Sequence, residues 1–359
     1  MLLQMGGPVL ASWVDSCAMG RTCHAKITDS DHNTSMLYAG IDEAGYGPLL
    51  GPLCVGCSAW QIDDSDDCAS PPDLWQRMKA SICRKARDRR GRIAINDSKR
   101  LKGTGAGGRH PLADIERGVL AVLGALHGSP CETDTTVFSR LGSAAPPSSE
   151  PWYTGCVPLP CACDAPHLSL GSSMLRRSLE NAGVHMHGLH CAAVDAGPIN
   201  DAARRGAVKS SLPWMLVMQH THRLRAASGG HPLRLAVDRQ GGRMRHVDEL
   251  LREFPNDRLS IEREDETESR YRLEGSLGVL VISFTVDAEA VHLPVALASM
   301  TAKYVRELWM QRLNRFFTSR VEGLEPTAGY VTDGRRFMDR IRPSLDRDGI
   351  DCTRLVRSI

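Results

Sequence analysis

Runs of apolar residues at 36–43, 53–62, 190–195, 232–238, 259–262 and 279–284 predict strands, and the run at 53–62 is apolar enough to sit centrally in a sheet. Helical spacing marks 74–84, 112–126, 200–225, 246–254, 294–317 and a stretch near 335–341. The helix at 294–317 carries Ala298, Ala302, Val305, Leu308, Trp309, Leu313 and Phe316 on an apolar face. In 200–225, Ala207, Leu212, Met215, Leu216 and Met218 favour one buried face, and Pro213 is placed to kink or divide the helix. Strands come first and then alternate with helices, which predicts an α/β domain with a mixed sheet. Three stretches break the pattern. Residues 1–35 show no periodicity and read as a disordered extension or an upstream start codon. Residues 63–73 read as a loop. Residues 128–185 hold the linker-like segment Ala144-Ala145-Pro146-Pro147-Ser148-Ser149 and read as an insertion between core elements.

The 359 residues suffice for one large domain or two small ones, and a formal net charge of +2 does not by itself announce nucleic acid. The distribution of charge says more. Arg84, Lys85, Arg87, Arg89, Arg90, Arg92, Lys99, Arg100 and Lys102 stand against Asp88 and Asp97, as a solvated loop or a phosphate-contacting surface. The twelve cysteines include a C-x-x-C at Cys54 and Cys57 inside a predicted strand, and Cys161 and Cys163 two residues apart. No tetrad has zinc spacing, and no signal peptide suggests an oxidising compartment. The thiols therefore read as free and mostly buried, in a cytoplasmic protein. No apolar run approaches the ~18 residues of a membrane span.

The chemistry concentrates in Tyr38-Ala-Gly-Ile-Asp-Glu-Ala-Gly-Tyr-Gly-Pro-Leu-Leu-Gly-Pro52. A strand ends in two carboxylates, Asp42 and Glu43, and runs into a turn too rich in glycine and proline to be regular. Gly45, Gly47 and Gly51 lack a Cβ, so a ligand or another backbone can come close. Strand-end carboxylates beside an open backbone suit a divalent metal and a phosphodiester. Cutting a phosphodiester with water through two metal ions calls for three or four carboxylates converging from separate elements. A further carboxylate, Asp238, ends the strand Leu-Arg-Leu-Ala-Val.

The run at 38–52 resembles the signature of the type 2 ribonucleases H, Gly-Ile-Asp-Glu-Ala-Gly-Arg/Lys-Gly-Pro followed by a further Gly-Pro. This chain carries Tyr46 where the family has Arg or Lys. Asp97-Ser98-Lys99-Arg100-Leu101 is similar to the family's Asp-Ser-Lys-x-Leu, which lies near the substrate groove in relatives. The helix start Pro294-Val295-Ala296-Leu297-Ala298-Ser299-Met300-Thr301-Ala302-Lys303 resembles its Ala-Ala-Ser-Ile-x-Ala-Lys block. Thr327-Ala-Gly-Tyr-Val-Thr332 resembles Lys-Gly-Tyr-x-Thr. The resemblance covers about 36–126 and 186–345. It implies a ribonuclease H-like fold, a central mixed β-sheet flanked by helices with a helical C-terminal part. The catalytic domain would span 36–345, with 346–359 as a tail.

The resemblance implies Asp42, Glu43 and Asp238 as metal ligands and catalytic residues. Counting back ten residues from Ser299 reaches Glu289 as the fourth, with Asp287 as the alternative; both have the same side-chain parity on a strand. It implies substrate contacts from Gly45, Tyr46, Gly47, Ser98, Lys99, Lys303 and Tyr330, the last reading the ribose 2′-hydroxyl. Arg306 reads as part of a solvated helix face, and His292 as an incidental loop residue. The implied activity is endonucleolytic hydrolysis of RNA in RNA–DNA hybrids, or of ribonucleotides embedded in duplex DNA, by a monomer using Mg2+ or Mn2+. Tyr46 and the insertion leave room for altered substrate choice, and loss of the fourth carboxylate would leave an inactive nucleic-acid-binding protein.

Overall fold

The computed structural model describes residues 35–63, 70–239 and 242–358. Apart from Ser35, the extension read over 1–35 lies outside the described residues. In chain order the elements are β1 (Ser35–Ala44), β2 (Leu53–Asp63), α1 (Leu74–Arg77), β3 (Ile82–Cys83), β4 (Ile93–Ala94), α2 (Ser98–Leu101), α3 (Ala113–His127), α4 (Asp134–Leu141), α5 (Ala165–Asn181) and β5 (Val184–Val194). They continue with α6 (Ala196–Arg204), α7 (Ser211–Ala227), β6 (Leu233–Asp238), α8 (Val247–Glu253), β7 (Arg258–Glu264), β8 (Glu268–Gly275), β9 (Gly278–Thr285), α9 (Ala288–Val291), α10 (Leu293–Thr318) and α11 (Val331–Asp348).

Among the described residues a seven-stranded sheet runs in the order β5-β2-β1-β6-β9-β8-β7. β2 lies antiparallel between β1 and β5, while β1, β6 and β9 are mutually parallel. β8 and β7 return antiparallel to the edge. The sheet is mixed and flanked by helices, as the sequence predicts, and the C-terminal part is helical.

Alternation along β1 sorts its side chains between two cores. Met36 and Tyr38 pack with Leu297, Met300 and Tyr304 of α10. Leu37, Ala39 and Ile41 pack with Leu216, Val217 and Leu224 of α7 on the opposite face. Two glycines let α10 lie directly on the strands. A Cβ on Gly40 would stand 2.2 Å from the Val295 nitrogen, and one on Gly56 would stand 2.2 Å from the Ala298 carbonyl oxygen. The Ser58 hydroxyl donates to the Pro294 carbonyl at 2.8 Å across the same contact.

α10 is buried nearly all round because residues 128–185 cover its outer side. The Trp309 indole donates to the Ala144 carbonyl, and Tyr153 meets the Trp309 ring edge-on at 4.8 Å. Arg312 clasps both oxygens of Asp134 at 2.7 Å. Ala144, at the head of the segment that reads as a linker, is fully buried.

Several boundaries differ from the sequence expectation. The helix read over 74–84 stops after one turn at Arg77, and the chain continues into β3, which pairs with β4. The Trp75 indole, donating to the Ile95 carbonyl at 2.8 Å, anchors this detour. The stretch 200–225 is two helices, broken at Gly206 with φ +86° and not at Pro213. Pro213 falls in the first turn of α7, where its missing N–H leaves no hydrogen bond unmade. β8 was not legible because buried Glu268, Ser269, Tyr271 and Leu273 alternate with arginines and read as a polar loop. Among the described residues no helix is long and apolar enough to cross a membrane, and the cysteines are free.

Candidate functional site

A cleft of about 460 Å³ opens at the C-terminal ends of β1 and β6. The parallel register of these strands, Ile41 beside Val237, sets Asp42 next to Asp238 on neighbouring strands roughly 4.8 Å apart. Glu43 follows at the end of β1 and lines the same cleft. β9 continues the parallel set and delivers the chain to α9, whose Glu289 turns into the cleft at 6% exposure. Asp287 sits just before α9 in the left-handed region at φ +51° and does not line the cleft. The structure thus brings Asp42, Glu43, Asp238 and Glu289 together, from three separate parts of the chain.

The electrostatics reflect that crowding. Burial first, then the neighbouring Glu43 and Asp238 carboxyls, push the Asp42 pKa well above the carboxylate range; a Ser299 hydrogen bond opposes them. Asp238 is pushed up to about 7 by burial and then by Glu289, against the Ala288 N–H that its Oδ1 accepts at 3.1 Å. One Glu289 oxygen is buried without a hydrogen-bond partner among the described residues. Such a site favours an added cation, because each like charge raises the cost of ionising the next.

Basic residues form the facing wall. Burial works against the Lys99 ammonium, but Asp97, Glu289, Asp42 and Asp238 together raise its pKa. Ser98 accepts from the Ser299 hydroxyl at 3.1 Å, joining α2 to α10 at the cleft. Lys303 lines the cleft and pairs with Glu307 one turn on.

Arg306 corrects the reading of a solvated helix face. It is 1% exposed and lines the cleft, donating to the Leu50 carbonyl at 3.1 Å and the Ala328 carbonyl at 2.9 Å. Its Nε and Nη1 have no partner among the described residues. Ser299, Lys303 and Arg306, spaced four and three apart, share one stripe of α10, a signal present in the sequence. Tyr330 stands over Arg306, its ring centre 5.8 Å from the guanidinium carbon, and is 54% exposed.

Gly45 and Tyr46 line the cleft, whereas Gly47 does not. Lys209 sits with its ammonium 4.8 Å from the Tyr46 ring centre. His292 is not at the cleft: its Nδ1 is bonded at 2.6 Å to the Tyr38 hydroxyl in the core under α10. Sequence reasoning missed Lys209, and named Lys102 and Ser299 only within a basic run and a matched block. It missed Arg357 as well, which lies in the stretch read as a tail and reaches the glycine turn.

Among the described residues no group of three or more His, Cys, Asp or Glu is arranged to hold a metal ion. The donor set nonetheless suits a hard divalent cation: four carboxylates face one cleft, and one buried oxygen has no partner.

No family model matches the chain, and no curated protein matches it. Among solved structures it is similar to RNase HII from Archaeoglobus fulgidus in complex with PCNA, at 14% identity over 90% of this chain and 94% of that one, with a TM-score of 0.39. It is similar to Bst-RNase HIII in complex with Mn2+, at 15% identity over 97% and 77%, with a TM-score of 0.45. It is also similar to ribonuclease H2 from Pyrococcus horikoshii OT3, at 15% identity over 89% and 92%, with a TM-score of 0.40. These likenesses are distant. The central mixed sheet flanked by helices is consistent with a ribonuclease H-like fold.

Proposed function

We propose that this chain is a metal-dependent endoribonuclease of the type 2 ribonuclease H kind, acting on RNA–DNA hybrids or on ribonucleotides embedded in duplex DNA. The observation that carries the reading is the placement of Asp42, Glu43, Asp238 and Glu289 in one cleft, walled by Lys99, Lys303, Arg306, Tyr46 and Tyr330. The four carboxylates would hold Mg2+ or Mn2+. Bound divalent ions supply an activated water and charge stabilisation for phosphodiester hydrolysis. Lys99 and Lys303 orient the phosphates of the bound strand, and the buried Arg306 charge adds to the basic side of the cleft. Tyr330 offers an exposed ring to a sugar or base face. The glycine turn, whose Gly45 and Tyr46 line the cleft, presents backbone groups to a ribose hydroxyl.

The test is cleavage of a duplex containing one ribonucleotide, with Mg2+, with Mn2+ and with EDTA. Metal-dependent incision at the ribonucleotide supports the reading; no incision with either metal counts against it. A second reading is a nucleic-acid-binding protein of the same fold without cleavage, since Tyr46 stands where the resembling signature carries Arg or Lys. Tight hybrid binding without incision in the same assay would select it.

A further inference from the structure

The C-terminal strap, residues 352–358, has no part in the reading above, yet it holds the glycine turn. Val356 pairs with Leu50, and the Arg357 N–H donates to the Leu49 carbonyl at 3.0 Å. The Arg357 guanidinium then spans the turn, donating from Nη1 to the Gly45 carbonyl and from Nη2 to the Gly51 carbonyl. Both glycines sit at positive φ, +89° and +82°, so the turn adopts a backbone that few other residues would hold. The strap is anchored in turn by Asn200 of α6. Its amide donates to the Thr353 and Val356 carbonyls at 2.6 and 2.8 Å and accepts from the Ser358 N–H and hydroxyl at 2.7 and 2.8 Å.

Holding a guanidinium here works against solvation. Arg357 is 3% exposed, and burial with the nearby Arg306 charge lowers its pKa to about 10. A buried cation of this kind persists where its hydrogen bonds fix something. What it fixes is the orientation of the Gly45–Tyr46 peptide. In a trans peptide the carbonyl and the N–H point opposite ways. With the Gly45 carbonyl turned to Arg357, the Tyr46 N–H points away from it and has no partner among the described residues. Gly45 and Tyr46 both line the cleft.

We infer that Arg357 is a positioning residue that sets ribonucleotide selectivity, by locking the glycine turn so that the Tyr46 N–H is free to meet a ribose hydroxyl. This rests on the ribonucleotide reading of the cleft. Arg357 touches neither the substrate nor the carboxylates, so its loss weakens recognition and spares turnover.

The test compares wild type, Arg357→Met and Arg357→Lys in the full chain. Steady-state cleavage is measured on a duplex with one ribonucleotide. Binding of that duplex and of its all-deoxy counterpart is measured in an Asp42→Asn background. In Arg357→Met, KM for the ribonucleotide duplex should rise about tenfold with kcat within about twofold, the scale expected for losing an oriented hydrogen bond. The preference for the ribonucleotide duplex should fall by the same factor, with all-deoxy binding unchanged. Arg357→Lys keeps the charge but cannot span both carbonyls, and should recover part of the preference. Circular dichroism and thermal melts establish folding; if Arg357→Met does not fold, Arg357→Lys decides. Wild-type preference with an unchanged preference in a folded variant overturns the role of Arg357 alone. Absence of any preference or cleavage in wild type overturns the proposed function and this inference with it.

Discussion

The Asp238 carboxyl accepts a hydrogen bond from the Ala288 backbone N–H at 3.1 Å. That contact ties the end of β6 to the first residue of α9, and Glu289 follows directly. It explains how two acidic residues distant in the sequence, Asp238 and Glu289, come to face one cleft, and it leaves Asp238 crowded by its neighbour.

Asp238 ordinarily titrates at 3.8 and is raised to about 7 in the fold. A carboxyl raised on folding contributes stability that is present below its unfolded pKa and lost as pH rises through its folded one, here between about 4 and 7. Asp238→Asn removes that loss and should raise the Tm of the metal-free protein at about pH 8. Buried His190, His220, His246 and His292 have lowered pKa values and pull the other way with pH, but comparison with the variant cancels them. Calorimetry in EDTA checks this. A lower Tm in the variant than in wild type at that pH would show that the Asp238 charge is not destabilising.

Asp42→Asn should lower metal-dependent cleavage by at least about a thousandfold while leaving hybrid affinity within about twofold, because phosphate contacts from basic residues supply most of the binding. Single-turnover cleavage and a binding titration separate the two. Near-normal turnover would remove Asp42 from the ligand set.

Tyr46 stands where the sequence resemblance leads one to expect Arg or Lys, and Lys209 stands beside its ring. If Lys209 supplies the missing charge, Lys209→Met should flatten the salt dependence of hybrid binding by about one phosphate contact. Tyr46→Arg in that background should restore the slope and tighten binding, since a charged contact to phosphate is roughly twice as strong as a neutral one. Binding across a salt series is the measurement, and unchanged slopes in both variants would mean that neither side chain meets a phosphate.

Asp134→Ala should destabilise the protein by about 3–5 kcal/mol, because it leaves the buried Arg312 charge without its carboxylate. Urea unfolding measures the loss. The double variant Asp134→Ala/Arg312→Met should be less destabilised than Asp134→Ala alone, since the stranded charge is gone.

Much of the architecture was readable because its signals are local. β1, β2, α3 and α10 announce themselves by apolar runs and periodicity, and Asp42, Glu43 and Asp238 stand at strand ends. What was not readable depends on partners distant in sequence. Glu289 and Asp287 would share parity on a strand, but the chain turns there into α9, with Asp287 in the left-handed region and Glu289 in the helix's first turn. Arg306 read as solvated because its burial comes from Leu50, Ala328 and Tyr330, none near it in the chain. Arg357 read as tail because nothing within 346–359 reveals that it returns to the glycine turn.

The missing side chains at Gly40 and Gly56 put the main chain of α10 in direct contact with β1 and β2. With no side chains between them to repack, this interface has little room to slide or rock. Asp42 stands at the end of β1, and Ser299, Lys303 and Arg306 ride on α10, so the spacing between them is set by that backbone contact. Any adjustment to a bound ligand then falls to parts not bolted to that interface, Lys209 among them. The gauge of the cleft between Asp42 and α10 is therefore set by two absent side chains.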